Sequence, residues 1–412
     1  RLDSPLNWAE ARREKLPRLG QLFRSRSWNL SFSAKIDVRV PASLSLDMAN
    51  GFGDVVVRGV TGRLAITNES GKVHVETCGG SLDLTNSFGP VRIAAFKGAV
   101  KVGNESGAVE LENIGGSAEV RNSFAEVSFK KIGGPLTVTS ESAAVIGAGV
   151  AGDVRIRSSF DKIDVRDIRG RCDVTGESAA VTVDLVDKDA LLANSFQPLQ
   201  ATRIKGSLSV TGESSLVRAA DIGGDAIVRS SFNPITLEKI HGRATVEAES
   251  SAVTLRDIDR DASVVTSYGA VEARRIGGGL KVKGESAAVL GEEIGGPVDI
   301  RNSFHQVILR KTAGSISIAG ESSGIDVSQI RALPAGSQID IKTSFMPIVL
   351  ALPTGTPVQG TARTQYGKIV TGFPVYLLDG DEAGHKAVRF ETGKNGVTLK
   401  LENTADITIK TP

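Results

Sequence analysis

Apolar and polar positions recur along this chain at one fixed step. Starting from Phe52, every eighteenth residue is an aromatic or a serine in strict alternation: Phe52, Ser70, Phe88, Ser106, Phe124, Ser142, Phe160, Ser178, Phe196, Ser214, Phe232, Ser250, Tyr268, Ser286, Phe304 and Ser322. The register holds for fifteen steps without an insertion or deletion, and the next aromatic, Phe345, comes 23 residues on, after extra residues around 332–336. A repeat of this kind is the signature of a solenoid, in which each unit buries its apolar face only against its neighbours.

Positions inside the unit give its cross-section. Three residues after every anchor stands an aliphatic side chain, from Val55 and Val73 through Ile163 and Leu199 to Ile325. The fifth position is mostly apolar but varied, as in Ile93, Phe129, Gly147 and Leu237, and the eighth is nearly always large, as in Val60, Ile114, Ile168 and Ile294. Positions twelve and fourteen form a second apolar pair, as in Leu64 with Ile66 and Leu208 with Val210. Apolar pairs at i, i+2 among Thr, Ser, Arg, Glu and Lys, rich in β-branched residues, have the period of strands and not of helices. The tenth position is Gly in thirteen of fifteen units, which predicts a turn needing positive φ or close backbone approach.

The pattern predicts an all-β, single-stranded β-solenoid (β-helix) of about sixteen 18-residue coils, stacked at about 4.8 Å per coil, with non-repetitive N- and C-terminal caps. Because Phe and Ser alternate, a 36-residue coil is the competing reading. It would stack Glu69, Glu105, Glu141, Glu177, Glu213, Glu249, Glu285 and Glu321 directly on one another, like charge on like charge. An 18-residue coil separates them by a layer that offers Arg121, Arg157, Arg229 or Arg301 nearby, and lets a Phe ring fill the space above a Ser.

Three regions follow. Residues 1–35 are a basic segment, a short helix or cap or a linker, with a helix expected near residues 7–16. Residues 36–353 are the repeat array, opening on a strand at 36–41. Residues 354–412 are a β-rich capping region with strand-like runs at 375–378, 397–401 and 407–409. The chain starts at Arg1 with neither an initiator Met nor a signal peptide, as a processed or trimmed start would.

Val38-Arg39-Val40-Pro41 followed by Asn50-Gly51-Phe52-Gly53-Asp54-Val55 resembles the opening of the bacterial "putative adhesin" family of β-solenoid domains. Thr343-Ser344-Phe345 before Leu352-Pro353, and Gly396-Val397-Thr398-Leu399-Lys400-Leu401 before Ile407-Thr408-Ile409, are similar to its closing turns. The resemblance covers residues 36–412 and brings no catalytic residues. It implies a bacterial structural or adhesion-type protein outside the cytoplasm, in the cell envelope or secreted, with a cell-surface protein or polysaccharide as partner.

Composition narrows the chemistry. Of 412 residues 40% are hydrophobic, 23% charged and 5% aromatic, with a formal net charge of +2. The first 30 residues carry +4 of this, which admits a basic membrane-contacting segment as an alternative to a cap. Near-neutral balance gives no case for nucleic acid, and no apolar run reaches the ~18 residues of a membrane span. Cys78 and Cys172 fall in inward columns about five coils apart, so both are expected as free, buried thiols.

The Glu-Ser turns do not read as nucleophiles, because His74, His241, His305 and His385 belong to unrelated coils and eight equivalent turns exceed the needs of one active site. Asp187 and Asp189, and Asp257, Asp259 and Asp261, replace the glycine turn in two coils. Asp bonding of backbone outweighs Ca²⁺ binding there. No catalytic, cofactor-binding or metal-ligating residue is assigned, and no cofactor is expected. The functional expectation is a non-enzymatic rod that presents a rigid repetitive surface. The alternatives are a filament assembled end to end and a carbohydrate-active β-helix enzyme. An enzyme would need clustered outward acids, and two Trp and three Tyr are few for stacking on sugars.

Overall fold

The computed structural model describes residues 35–378, 386–393 and 396–411. The chain divides into two units, Arg1–Pro41 and Ala42–Pro412. The helix expected near residues 7–16 lies outside the described residues. The opening strand expected at 36–41 is not formed: these residues are irregular, with Ile36 and Val38 exposed. The first strand is Leu46–Phe52.

From there the chain is a β-solenoid of about sixteen turns, all β, with no helix among the described residues. As far as Val307–Arg310, each strand run pairs in parallel with the one eighteen residues on: Leu46 lies beside Leu64, Phe52 beside Ser70, Phe160 beside Ser178 and Phe304 beside Ser322. This pairing excludes the 36-residue coil. Positions three, five, eight, twelve and fourteen point inward, and Val73, Val75, Leu82, Leu84, Val91 and Ile93 show the resulting full burial over two coils. Each such side chain contributes about 1.5–3 kcal/mol of burial energy, so the columns of the core carry the fold.

Strict alternation would send positions three, five and seven inward, yet the third inward residue is the eighth. The difference is a residue with positive φ at position seven in successive coils, among them Thr77, Ala95, Asn113, Lys131, Asp167, Leu185, Arg203 and Asp221. This left-handed residue inserts a kink, so the next side chain turns back into the core. The expected site of positive φ, the tenth-position glycine, shows it only at Gly80 and Gly314. Those glycines answer instead to close approach: a Cβ on Gly98 would lie 1.6 Å from the Gly80 carbonyl oxygen, and one on Gly170 would lie 2.4 Å from that of Gly152.

Large does sit over small, but inside the core. Phe129 is buried, and a Cβ on Gly147 in the next coil would lie 2.5 Å from its ring. The anchor rings, expected to fill the space above Ser in the same way, stand outside. Cys78 and Cys172 are free and buried, and burial, with a smaller contribution from Asp173, pushes the Cys172 thiol up to about 12.

The last coils are out of sequence order. Strand Val397–Asn403 pairs with Gln338–Lys342 on one side and with Val358–Thr364 on the other, both in parallel. Ile407–Lys410 sits likewise between Ile348–Ala351 and Ile369–Thr371. The C-terminal coil is therefore threaded beneath the coil that precedes it in sequence. Beyond it, Lys386–Glu391 runs antiparallel to Val358–Thr364, and the short Tyr376–Leu378 runs antiparallel to Lys386–Glu391. A three-residue antiparallel edge offers little template for further stacking.

Candidate functional site: an aromatic and acidic ridge

The anchors lie where each coil passes from one inward-facing run to the next, within a continuous strand at Phe160 and Ser178. They stack coil on coil, as Phe52 on Ser70 and Phe160 on Ser178, so they form one line along the solenoid. Phe52, Phe88, Phe124, Phe160, Phe196, Phe232, Tyr268, Phe304 and Phe345 are all solvent-facing, from 49% to 79% exposed. With about 4.8 Å between parallel strands, a ring recurs about every 9.6 Å. Lone exposed apolar residues are ordinary, but a line of nine is not.

The coils between the rings carry the eight Glu-Ser pairs. Glu69, Glu105, Glu141, Glu177, Glu213, Glu249, Glu285 and Glu321 are all exposed. None forms an ion pair or a side-chain hydrogen bond among the described residues, although their main-chain carbonyls accept from the next coil, as Glu105 O does from Phe124 N at 3.2 Å. The arginines expected to neutralise them are engaged elsewhere or stand apart: Arg121 pairs with Glu119 at 2.8 Å and Arg229 with Glu247 at 2.8 Å. An open depression of about 370 Å³ flanks the ridge, with Glu105, Glu141, Arg121 and Ser123 among its walls.

Beneath the first rings runs a column of asparagines, half-buried at Asn50 and buried from Asn68 on. Asn50, Asn68 and Asn86 each donate from Nδ2 to the Oδ1 of the next, Asn68, Asn86 and Asn104, at 2.8, 2.8 and 3.0 Å. The same Nδ2 groups close their own turns on Gly53, Gly71 and Gly89 carbonyls at 3.0, 3.2 and 2.6 Å. Farther along, Ser158 and Ser230 take the position and bond to the Ala143 and Ser215 carbonyls. The turn that displays each ring is thus pinned from below. The sequence signal for this column is the Asn two residues before each early anchor, a polar residue before a turn that by itself reads as solvent-facing.

Elsewhere, acids meet bases across coils. Arg92 pairs with Glu110 at 2.6 Å, Lys205 with Asp187 at 2.7 Å and His241 with Asp259 at 2.7 Å. Asp257, Arg275, Glu293 and Lys311 occupy the left-handed position of four consecutive coils and alternate in sign. Arg275 holds Asp257 below the ordinary carboxylate range, and Lys311 does the same for Glu293.

The two Asp-rich turns are explained by their neighbours. Asp189 Oδ1 accepts the Ser207 N–H at 3.0 Å, Asp261 Oδ1 accepts the Gly279 N–H at 2.9 Å, and Asp153 and Asp225 do the same for Arg171 and Arg243. Among the described residues no group of three or more His, Cys, Asp and Glu is placed to hold a metal ion. His74 bonds Glu76 at 3.4 Å, so neither it nor His241 is drawn on an anchor serine. Another depression, of about 680 Å³, lies on a strand face and is lined by Arg155, Asp173, Asp153 and Arg171, with exposed Leu191. Its charges are largely committed, since Arg155 pairs with Asp173 at 3.2 Å.

No helix of the described residues is long and apolar enough to cross a membrane. The chain matches no protein-family model, no curated protein and no solved structure.

Proposed function

We propose that this protein is a non-enzymatic, adhesion-type rod of the bacterial cell envelope or exterior, and that the aromatic and acidic ridge is its binding face. The line of nine exposed rings carries this reading. A single ring gives a weak contact, but rings fixed on one scaffold bind a repeating partner with the gain of multivalency. The resemblance to the adhesin-type β-solenoid family supports this role and a location outside the cytoplasm.

Assembly into filaments is the weaker reading, because the short antiparallel edge at Tyr376–Leu378 opposes stacking on that end.

The test is cosedimentation of the purified protein with washed bacterial envelope fragments. A variant carrying Phe124→Ser, Phe160→Ser, Phe196→Ser and Phe232→Ser is expected to lose at least about tenfold in retention while keeping its unfolding midpoint. Equal retention of the two proteins would reject the ridge as the binding face.

A further inference from the structure

Resting on that reading, we propose that the ridge takes an extended, cationic, proline-rich chain in the polyproline II conformation. Three features point to this occupant. First, the spacing agrees. A polyproline II helix rises about 3.1 Å per residue with three residues per turn, so it repeats about every 9.3 Å. The rings recur about every 9.6 Å, so each turn is out of step by only about 0.3 Å, which a hydrogen-bond-free helix absorbs by slight stretching.

Second, the surface chemistry agrees. Between one ring and the next lies a coil whose anchor is Ser, as at Ser142 between Phe124 and Phe160. The gap is floored by a small side chain and flanked on both sides by exposed aromatic side chains, and aromatic-lined grooves are what polyproline segments dock into. A chain already extended and stiff loses little conformational entropy on binding.

Third, the charge agrees. Each gap also carries a Glu one residue before the Ser, exposed and without a cation of its own, whereas Glu110 and Glu247 on the strand faces are paired with arginines. A ligand with a Lys or Arg in every third position would set one cation beside each carboxylate and beside a ring face. Two ridges from two copies of this chain would bring their rows of Glu together, which disfavours self-pairing. A neutral glycan could stack on the rings but would leave the carboxylates without counter-charge.

The experiment titrates fluorescein-labelled Pro-Pro-Lys repeats into the full-length protein and reads anisotropy. Eight triplets are expected to bind about 10- to 100-fold tighter than four, because each added turn engages another ring. Phe160→Ser with Phe196→Ser is expected to cost about tenfold. Glu177→Gln with Glu213→Gln, exposed changes that leave the fold intact, is expected to cost several-fold and flatten the salt dependence. A control of equal length built on a four-residue Pro-Pro-Lys-Ala repeat puts the cations out of phase and is expected to bind at least about tenfold more weakly.

Equal binding of the out-of-phase peptide would overturn the proposal, as would tight binding of a soluble β-1,4-glucan where the peptides fail. If envelope retention depends on the rings while no proline-rich peptide binds, the occupant is rejected and the ridge reading stands. If ring removal changes neither, both are rejected.

Discussion

Asn68 donates from its Nδ2 to the Oδ1 of Asn86, one coil along, at 2.8 Å, with both side chains buried. Eighteen residues separate them in sequence, and one strand spacing separates them in space. The pair states the logic of this molecule: identical positions stack, and a polar group that would be costly alone inside a core is satisfied by its own copy in the next layer.

Asn86→Ala removes a donor from the Gly89 carbonyl, an acceptor from Asn68 and a donor from Asn104. A loss of about 2–4 kcal/mol in unfolding free energy is expected, since buried partners are left unpaired. Phe88→Ser, two residues away but on the exposed side, is expected to change stability by less than about 0.5 kcal/mol. Urea titration of both variants checks the contrast. Similar losses would mean that the rings hold the bends as much as the asparagines do.

Gly98 and Lys131 separate two reasons for a special backbone. Gly98→Ala places a methyl group against the Gly80 carbonyl and is expected to cost about 2–3 kcal/mol through displaced coils. Lys131 has φ of 58°, so Lys131→Gly is expected to be neutral or to stabilise by up to about 1 kcal/mol. Lys131→Val, with a branched Cβ at positive φ, is expected to destabilise by about 1–2 kcal/mol. Thermal unfolding ranks the three.

The cross-coil ion pairs set an acid limit. Asp184, held down mainly by Arg203, and Asp257, held down mainly by Arg275, have folded values below the ordinary 3.8, and Glu293, beside Lys311, is below 4.5. A carboxyl depressed on folding contributes stability that is complete above its unfolded value and is lost as pH falls through the lower folded value. The melting temperature is therefore expected to be flat from neutral pH down to about 5 and to fall below about 4. Asp257→Asn is expected to shallow that fall slightly, because exposed pairs contribute little each. An unchanged acid slope in Asp257→Asn would show that the pair is silent.

The threaded C-terminus predicts a polarity of assembly. A chain ending at residue 396 loses the coil that lies between Gln338–Lys342 and Val358–Thr364. Ile339, Ile341, Ile348 and Leu350 then border an open end of the core, and the antiparallel cap has nothing to hold it. Sedimentation velocity is expected to show a single species for the intact chain and a concentration-dependent series for the truncated one. A truncated chain that stays as one species would mean that the preceding coil closes the end unaided.

The sequence by itself determined the coil. A spacing of eighteen held for fifteen steps, with aliphatic residues at fixed offsets, favours burying every apolar column by parallel stacking at that register, which is what forms, and the strand pairing excludes the 36-residue coil. It also determined the thiols, because Cys78 and Cys172 sit in columns otherwise filled by aliphatic residues. Tertiary structure alone decided which way the anchors face. A Phe between two inward runs satisfies the periodicity whether it folds in or out; positive φ at or just after several anchors, as at Gly53, Asp161, Phe232 and His305, turns the chain there, and nothing in residues so unlike announces it.

The asparagine column is decided in the same way: Asn recurs two residues before each early anchor, but its burial and its hydrogen bonds come from the neighbouring coil. The swapped order of the last two coils depends on which edge a strand finds free. Hydrophobic pattern specifies that a strand pairs in parallel and with which face inward, but two open edges of similar character are distinguished only by the contacts that follow.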